Sequence, residues 1–230
     1  MYHCSMKTIS RSHGRSATAA AAYRSGTEIR CDTYGQTHDY SRKSGVIMSE
    51  VVGCDLDRQS LWNNAEQAET NKDGSLKENA RVARELEVSL PCEASPGEQI
   101  DAVREMAKHI HDTYGVAVDW ALHAPNPKGD ERNIHAHLLF CTREIQGDGS
   151  LGKKTRTLDD KRTGSQEVEK IREKWADIVR EIALDKSKWD HRSYRDRGLE
   201  REPSKHMGVK AVNFERRTGM MSRRRIHQEQ

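Results

Sequence analysis

The run from Leu122 to Cys141, LHAPNPKGDERNIHAHLLFC, constrains this chain more than any other stretch. Only Ala136 separates His135 from His137. In an extended strand a period of two sets both imidazoles on one face, and Ile134, Ala136, Leu138 and Phe140 take the other. Upstream, VAVDWALH alternates too, with Asp119, Ala121 and His123 on one side and Val118, Trp120 and Leu122 on the other. The intervening APNPKGDER is rich in Pro, Gly, Asn and Asp, which is turn chemistry. It predicts an antiparallel hairpin that brings His123 beside His135 and His137. Three neutral imidazoles on a rigid sheet make a facial set of nitrogen ligands with open positions opposite. That set suits a catalytic divalent metal rather than a structural one, which a fourth protein ligand would close. A lone histidine in a strand is more often a hydrogen-bonded core or surface residue, so the spacing of all three carries the metal reading.

At 230 residues the chain can bury one sizeable core, with or without an extension. Apolar residues make up 34% and charged residues 33%, with a mean hydropathy of −0.95, so a very soluble protein is expected. Aromatic content of 5% is low for a self-contained enzyme and points to some extended, solvated chain. No apolar run is long enough to span a bilayer and MYHCSMK lacks a signal-peptide core, which together predict a cytoplasmic protein without membrane insertion. Cys4, Cys31, Cys54, Cys92 and Cys141 are scattered without a C-x-x-C pair, which argues against a zinc–thiolate site or a disulfide framework. Net charge is only +3 but unevenly placed. Residues 1–30 hold five Lys/Arg against one acid and residues 192–230 eleven against five, so both ends suit a polyanion.

Along the chain, YHCSMKTIS alternates as a first strand, and RSHGR is a basic turn. Ser16 is a good N-cap for a helix over ATAAAAYRSG that stops at Gly26, placing Tyr23 and Arg24 on its last turn. A tyrosine there is ordinarily structural unless the neighbourhood needs a phenol nucleophile. Residues 31–45 read as loop or short hairpin, GVIMSEVV as a strand and DRQSLWNNAEQAET as a helix. ARVARELEVSLP is a strand with Glu85, Glu87 and Ser89 on one face and Leu86, Val88 and Leu90 on the other. Its two carboxylates face solvent or include a proton acceptor. A helix starts at Ser95-Pro96-Gly97-Glu98. QGDGSLGKKTRTLDDKRTG reads as a loop, and an amphipathic helix follows from about Ser165 to Asp185. The basic tail beyond has little periodicity and reads as a flexible extension or trimmed end.

These elements predict an α+β domain with helices packed on an antiparallel sheet. One face can then carry the basic first strand, the Tyr23 helix, the Glu85 strand and the histidine hairpin. A metal that polarises a phosphoryl oxygen, a phenolate that attacks phosphorus and a carboxylate are sufficient parts for transesterification on a nucleic-acid backbone. Arginines supply affinity for the backbone.

SRSHGRSATAAAAYRSG, ARELEVSLP, HAPNPKGDERNIHAHLLF and DHRSYRDRGLEREPSKHMG together resemble the relaxase domain of the MobA/MobL family of plasmid mobilisation proteins, of the His-hydrophobic-His endonuclease class. The likeness runs from about Tyr2 to Met207. It implies a relaxase domain over 1–207, with 208–230 as the basic extension. By this resemblance Tyr23 is the nucleophile, and His123, His135 and His137 hold Mn²⁺ or Mg²⁺. Glu85 assists the tyrosine with Glu87 as the alternative, because sequence alone does not say which carboxylate turns toward Tyr23. Lys7, Arg11, Arg15, Arg24, Arg192 and Arg195 are the expected DNA contacts. The implied reaction is nicking of one strand at an origin of transfer, leaving a 5′-phosphotyrosine and a free 3′-OH, and later resealing. Single-stranded DNA, relaxosome accessory proteins and a type IV secretion coupling protein are the implied partners, and the protein travels to the recipient cell with the DNA. A rolling-circle replication initiator of the same class is the alternative, although its usual pair of tyrosines on one helix is missing. A DNA-binding module with a structural metal is a further alternative, opposed by the absent fourth ligand.

Overall fold

Strand pairing brings chemistry from distant parts of the sequence onto one surface. The computed structural model describes residues 2–127, 129–200 and 207–229, and it divides into two units, 1–191 and 192–230. In chain order the first unit contains β1 (Cys4–Ser10), α1 (Ala17–Ser25), β2 (Glu28–Cys31), β3 (Gln36–Asp39), β4 (Val46–Val52), α2 (Arg58–Gln67), β5 (Arg81–Ser89), α3 (Pro96–Tyr114), β6 (Val118–His123), β7 (His135–Cys141), β8 (Arg143–Ile145), β9 (Leu151–Lys154) and α4 (Gly164–Ile182). The main sheet is antiparallel throughout, in the order β1-β5-β7-β6-β4. This is the expected α+β architecture.

Register decides the faces. His123 lies opposite His135, His137 lies between Ala121 and Glu87, and Glu85 pairs with Lys7. Lys7, Glu85, Glu87, His123, His135 and His137 therefore share one face, and a slip of one residue would turn every one of them into the core. The opposite face presents Leu86, Val88, Trp120, Leu122, Ala136, Leu138 and Phe140, all fully buried. α3 packs along β6 and β4, and α4 packs on α3 and β1. Each large side chain buried there contributes about 1.5–3 kcal/mol. Toward its C-terminal end β7 is buried on both faces, because α1 and α2 cover the other side of the sheet.

α1 forms as its sequence predicts. Ser16 Oγ accepts a hydrogen bond from Ala19 N, which is worth about 1 kcal/mol at a helix start. Gly26 ends the helix at φ 66°, and a Cβ there would approach Val46 Cγ2 to 3.0 Å. Buried Ala17, Ala20, Ala21 and Ala22 let the helix lie close to its neighbours. α3 has a full capping box between Ser95 and Glu98, with Pro96 at its first turn.

Three local differences from the sequence reading have physical causes. The loop expected after β7 contains the β8–β9 hairpin, whose short apolar anchors, Ile145 and Leu151, are hidden among Gly and Lys. The Glu85 end of β5 is interior rather than solvent-facing. Arg11 was expected on DNA, but its side chain is buried against Glu66 of α2. Its nitrogens donate to Glu66 Oε2 (3.0 and 3.2 Å), to the Glu66 carbonyl (2.5 Å), to Glu69 O (2.7 Å) and to Lys77 O (3.3 Å). Glu66 Oε1 accepts from Ala17 N at 2.5 Å, so the pair anchors the start of α1 rather than a phosphate.

In the second unit, α5 (Val209–Thr218) and α6 (Arg223–Glu229) occupy a tail whose sequence lacks an apolar stripe. The Glu215 carboxylate joins them by accepting from Ser222 and Arg225, polar ties that hydrophobic periodicity does not detect. Residues 201–206, within the DHRSYRDRGLEREPSKHMG motif, lie outside the described residues. No described helix is long and apolar enough to cross a membrane.

Removing Arg11 leaves a buried carboxylate without its cation, which costs about 3–5 kcal/mol. Arg11→Ala is therefore expected to lower the urea unfolding free energy by that amount. A loss below about 1 kcal/mol would show that the network does not anchor α1.

Candidate active site

His123 closes β6, and His135 and His137 open β7 directly opposite. The three ring centroids are 5.0–5.4 Å apart, and one ligand nitrogen from each ring lies within 4.8 Å of the other two. Each ring has one nitrogen facing an acceptor: His123 Nε2 faces Arg24 O at 2.7 Å, His135 Nδ1 faces Asn133 O at 2.9 Å, and His137 Nδ1 faces a Glu85 carboxylate oxygen at 2.7 Å. A carbonyl or carboxylate takes only a donor, so those nitrogens carry the proton and the second nitrogen of each ring keeps its lone pair. Burial pushes the His123 pKa down to about 4 and lowers that of His135, favouring the neutral form that a metal needs. The donor set fits a divalent ion such as those bound by facial histidines, with no fourth protein ligand among the described residues.

Glu85 is the support beneath this cluster. Arg24 grips its carboxylate with two bonds of 2.7 and 2.8 Å, while one of the same oxygens accepts from His137. Burial alone would raise the Glu85 pKa. The hydrogen bonds from His137 and Arg24 and the Arg24 charge outweigh it and hold the carboxyl at about 2. Tyr23 precedes Arg24 on the last turn of α1 and is 45% exposed. Tyr40 meets its ring edge-on at a centroid distance of 5.2 Å. Lys43 Nζ lies 4.0 Å from the Tyr23 ring centroid and donates to Tyr23 O at 2.6 Å. Burial lowers the Lys43 pKa to about 8, with the neighbouring Arg24 charge adding to the effect.

The two candidate carboxylates thus occupy different surroundings. Glu87 sits two residues along the same face, is partly exposed and pairs with Lys7, whereas Glu85 is bonded to both the Tyr23 helix and a histidine. Arg15 is exposed beside the start of α1. Arg24 is committed to Glu85, and Arg192 and Arg195 belong to the second unit, where both are exposed. Lys43 and Tyr40 were missed in the sequence. They lie in the β3–β4 connection, where no periodicity marks them and only the return of the chain over α1 brings them to Tyr23.

The family model described as MobA/MobL matches residues 15–217. The chain is 39% identical to the mobilization protein MobL of Acidithiobacillus ferridurans, over 98% of this chain and 66% of that protein. It is 27% identical to the probable mobilization protein MobA of Bifidobacterium longum, over 100% of this chain and 47% of that protein. The chain thus spans only part of the length of these curated relatives. A solved structure from work on the molecular basis of vancomycin resistance transfer in Staphylococcus aureus superposes with a TM-score of 0.65 at 27% identity, covering 89% of this chain and 97% of that one.

Glu85→Gln keeps the shape of the support but removes the charge that orients His137. Mn²⁺ affinity, measured by titration calorimetry, is expected to fall about 10- to 100-fold. An unchanged affinity would detach Glu85 from the metal site.

Proposed function

The chain belongs to the MobA/MobL family, and from that membership and the site geometry we propose that it is a relaxase whose Tyr23 nicks single-stranded DNA at an origin of transfer. The observation that carries this reading is the double tie through Arg24. Its carbonyl faces His123 and its guanidinium holds Glu85, which in turn faces His137. A phenol is thereby fixed one residue from a three-imidazole metal site. A metallohydrolase that activates water needs no such tyrosine.

In this reading the Tyr23 oxygen attacks phosphorus, the bond from phosphorus to the 3′ oxygen breaks, and the DNA keeps a 5′-phosphotyrosine link to the protein. The phenol proton passes to water, to which the half-exposed Tyr23 is open, and the departing 3′ oxygen gains a proton. Because one phosphodiester replaces another, the step can run backwards and reseal the strand. When bound by His123, His135 and His137, Mn²⁺ or Mg²⁺ supplies Lewis-acid polarisation of a phosphoryl oxygen. Lys43 and Arg24 place positive charge beside the ring where phenolate character develops. Glu85 acts as a positioning residue that locks α1 to β7. Lys7, Arg15, Arg192 and Arg195 hold phosphates. The catalytic part is assigned to 1–207 and the basic extension to 208–230. Accessory proteins of the relaxosome and a secretion coupling protein are the family partners, in a bacterial cytoplasm.

Tyr23→Phe removes one oxygen and is expected to keep Mn²⁺ and DNA affinity within about twofold while losing both the nick and the covalent adduct. The parent protein, incubated with an oligonucleotide carrying the transfer origin, should give a shifted band on a denaturing gel that maps to the Tyr23 peptide. Chelator should abolish the band but leave DNA binding. An adduct on Tyr34, Tyr40 or Tyr194, or undiminished nicking in chelator, would refute the assignment.

A further inference from the structure

Beside Tyr23 a groove of about 750 Å³, also lined by Arg24 and Glu85, opens between the β1 and α1 wall and the β2–β3 hairpin. The sequence along one edge of that hairpin is Tyr34-Gly-Gln36-Thr-His38-Asp-Tyr40. Tyr34, Gln36, His38 and Tyr40 all line the groove, at every second position. Gln36 and His38 repeat with the period of one strand face, roughly 7 Å apart, while Tyr34 stands in the turn before β3 and Tyr40 just past its end. Tyr40 N donates to Thr27 O at 3.2 Å, so the ladder extends past β3 itself.

Two features make this edge a platform. The inner strand is held in place: buried Ile29 and Cys31 pack toward the helices, Arg30 N donates to Gln59, and Asn63 bonds both Asp32 N and Arg30 O. The outer strand is uncovered, and Tyr34 is 42% exposed. The facing wall carries cations, Lys7 and Arg15. A polymer with flat apolar rings on one side and negative charge along the other matches this pairing. An unpaired nucleic-acid strand is such a polymer, because every base has a stacking face and every linkage a charge.

We propose that the groove between α1 and the β2–β3 hairpin is a docking subsite for the unpaired DNA bases that flank the scissile phosphate, stacked on Tyr34, His38 and Tyr40. This inference rests on the nicking role assigned to Tyr23, since Tyr23 forms one end of the groove and its ring meets Tyr40. Such a subsite favours melted over paired DNA. Paired bases are already stacked on their neighbours and cannot lie on the hairpin.

Affinity is read by fluorescence anisotropy at one fixed salt concentration. One probe is an oligothymidylate of about 12 nucleotides, and the other an abasic phosphodiester chain of equal length and charge. The parent protein is expected to favour the oligothymidylate by about 5- to 100-fold. Tyr34→Ala should remove most of that preference, and Tyr34→Trp should restore it, with abasic binding equal in all three. In a second measurement, oligothymidylate carrying 5-iodouracil is photocrosslinked to the parent protein and should label the peptide spanning 28–40. Equal affinity of the parent for both probes, full preference in Tyr34→Ala, or crosslinks confined to the rest of the chain would overturn the subsite. The two readings separate cleanly. A parent that forms the Tyr23 adduct while Tyr34→Ala keeps its preference overturns the groove alone. A parent with Tyr34-dependent base preference and no adduct overturns the nicking role alone.

Discussion

A carboxylate in the interior of a sheet persists only where its charge is answered, and Glu85 is answered from two directions. Arg24 reaches it from α1 and His137 from the neighbouring strand. Desolvating such a group is costly, and the bidentate guanidinium recovers that cost only while both partners hold their places. The position of α1 relative to β7 is therefore specified by one ion pair and one hydrogen bond. Tyr23 inherits its location from the residue next to it. The same carboxylate sets which His137 nitrogen bears the proton, so the placement of Tyr23 and the orientation of His137 share a single support.

The opposite end of α1 is held by a similar device. Glu66 satisfies the first backbone N–H of the helix and the Arg11 side chain together. A nine-residue helix has too few turns to be stable through its own hydrogen bonds, and alanines bury little area each. Fixing both ends by ion pairs lets a thin, alanine-rich helix hold Tyr23 in place without a bulky apolar stripe. The small residues in turn allow the backbone of Arg24 to approach His123 at hydrogen-bond distance.

What could be foreseen in the sequence followed from local periodicity. His135 and His137 share a face because a strand alternates, and His123 joins them because a turn-rich segment returns the chain. Ser16 and Gly26 bracket α1 through capping rules that act within four residues. The choice between Glu85 and Glu87 lay beyond such rules, since both occupy one face two positions apart. The partner from α1 separates them. Arg11 and Arg15 are likewise indistinguishable by type or spacing, and Glu66, fifty-five residues later, buries one and leaves the other exposed. Lys43 and Tyr40 reach Tyr23 through a loop without pattern, so only tertiary geometry identifies them.

The low basicity of Glu85 also shapes the chemistry. The hydrogen bonds from His137 and Arg24 and the Arg24 charge hold the Glu85 carboxyl well below the usual carboxylate range, which disfavours a proton on it. In the proposed reaction this favours Glu85 as a support over Glu85 as a proton acceptor. Cations answer the same need without taking a proton. Lys43 over the Tyr23 ring and Arg24 at its flank favour negative charge on the phenol oxygen at whatever stage it develops. They also impose a polarity on the surroundings of Tyr23, with positive charge from α1 and from the β3–β4 connection. In the proposed reaction that charge draws a phosphodiester toward Tyr23 before any bond changes, while Glu85 holds the helix still.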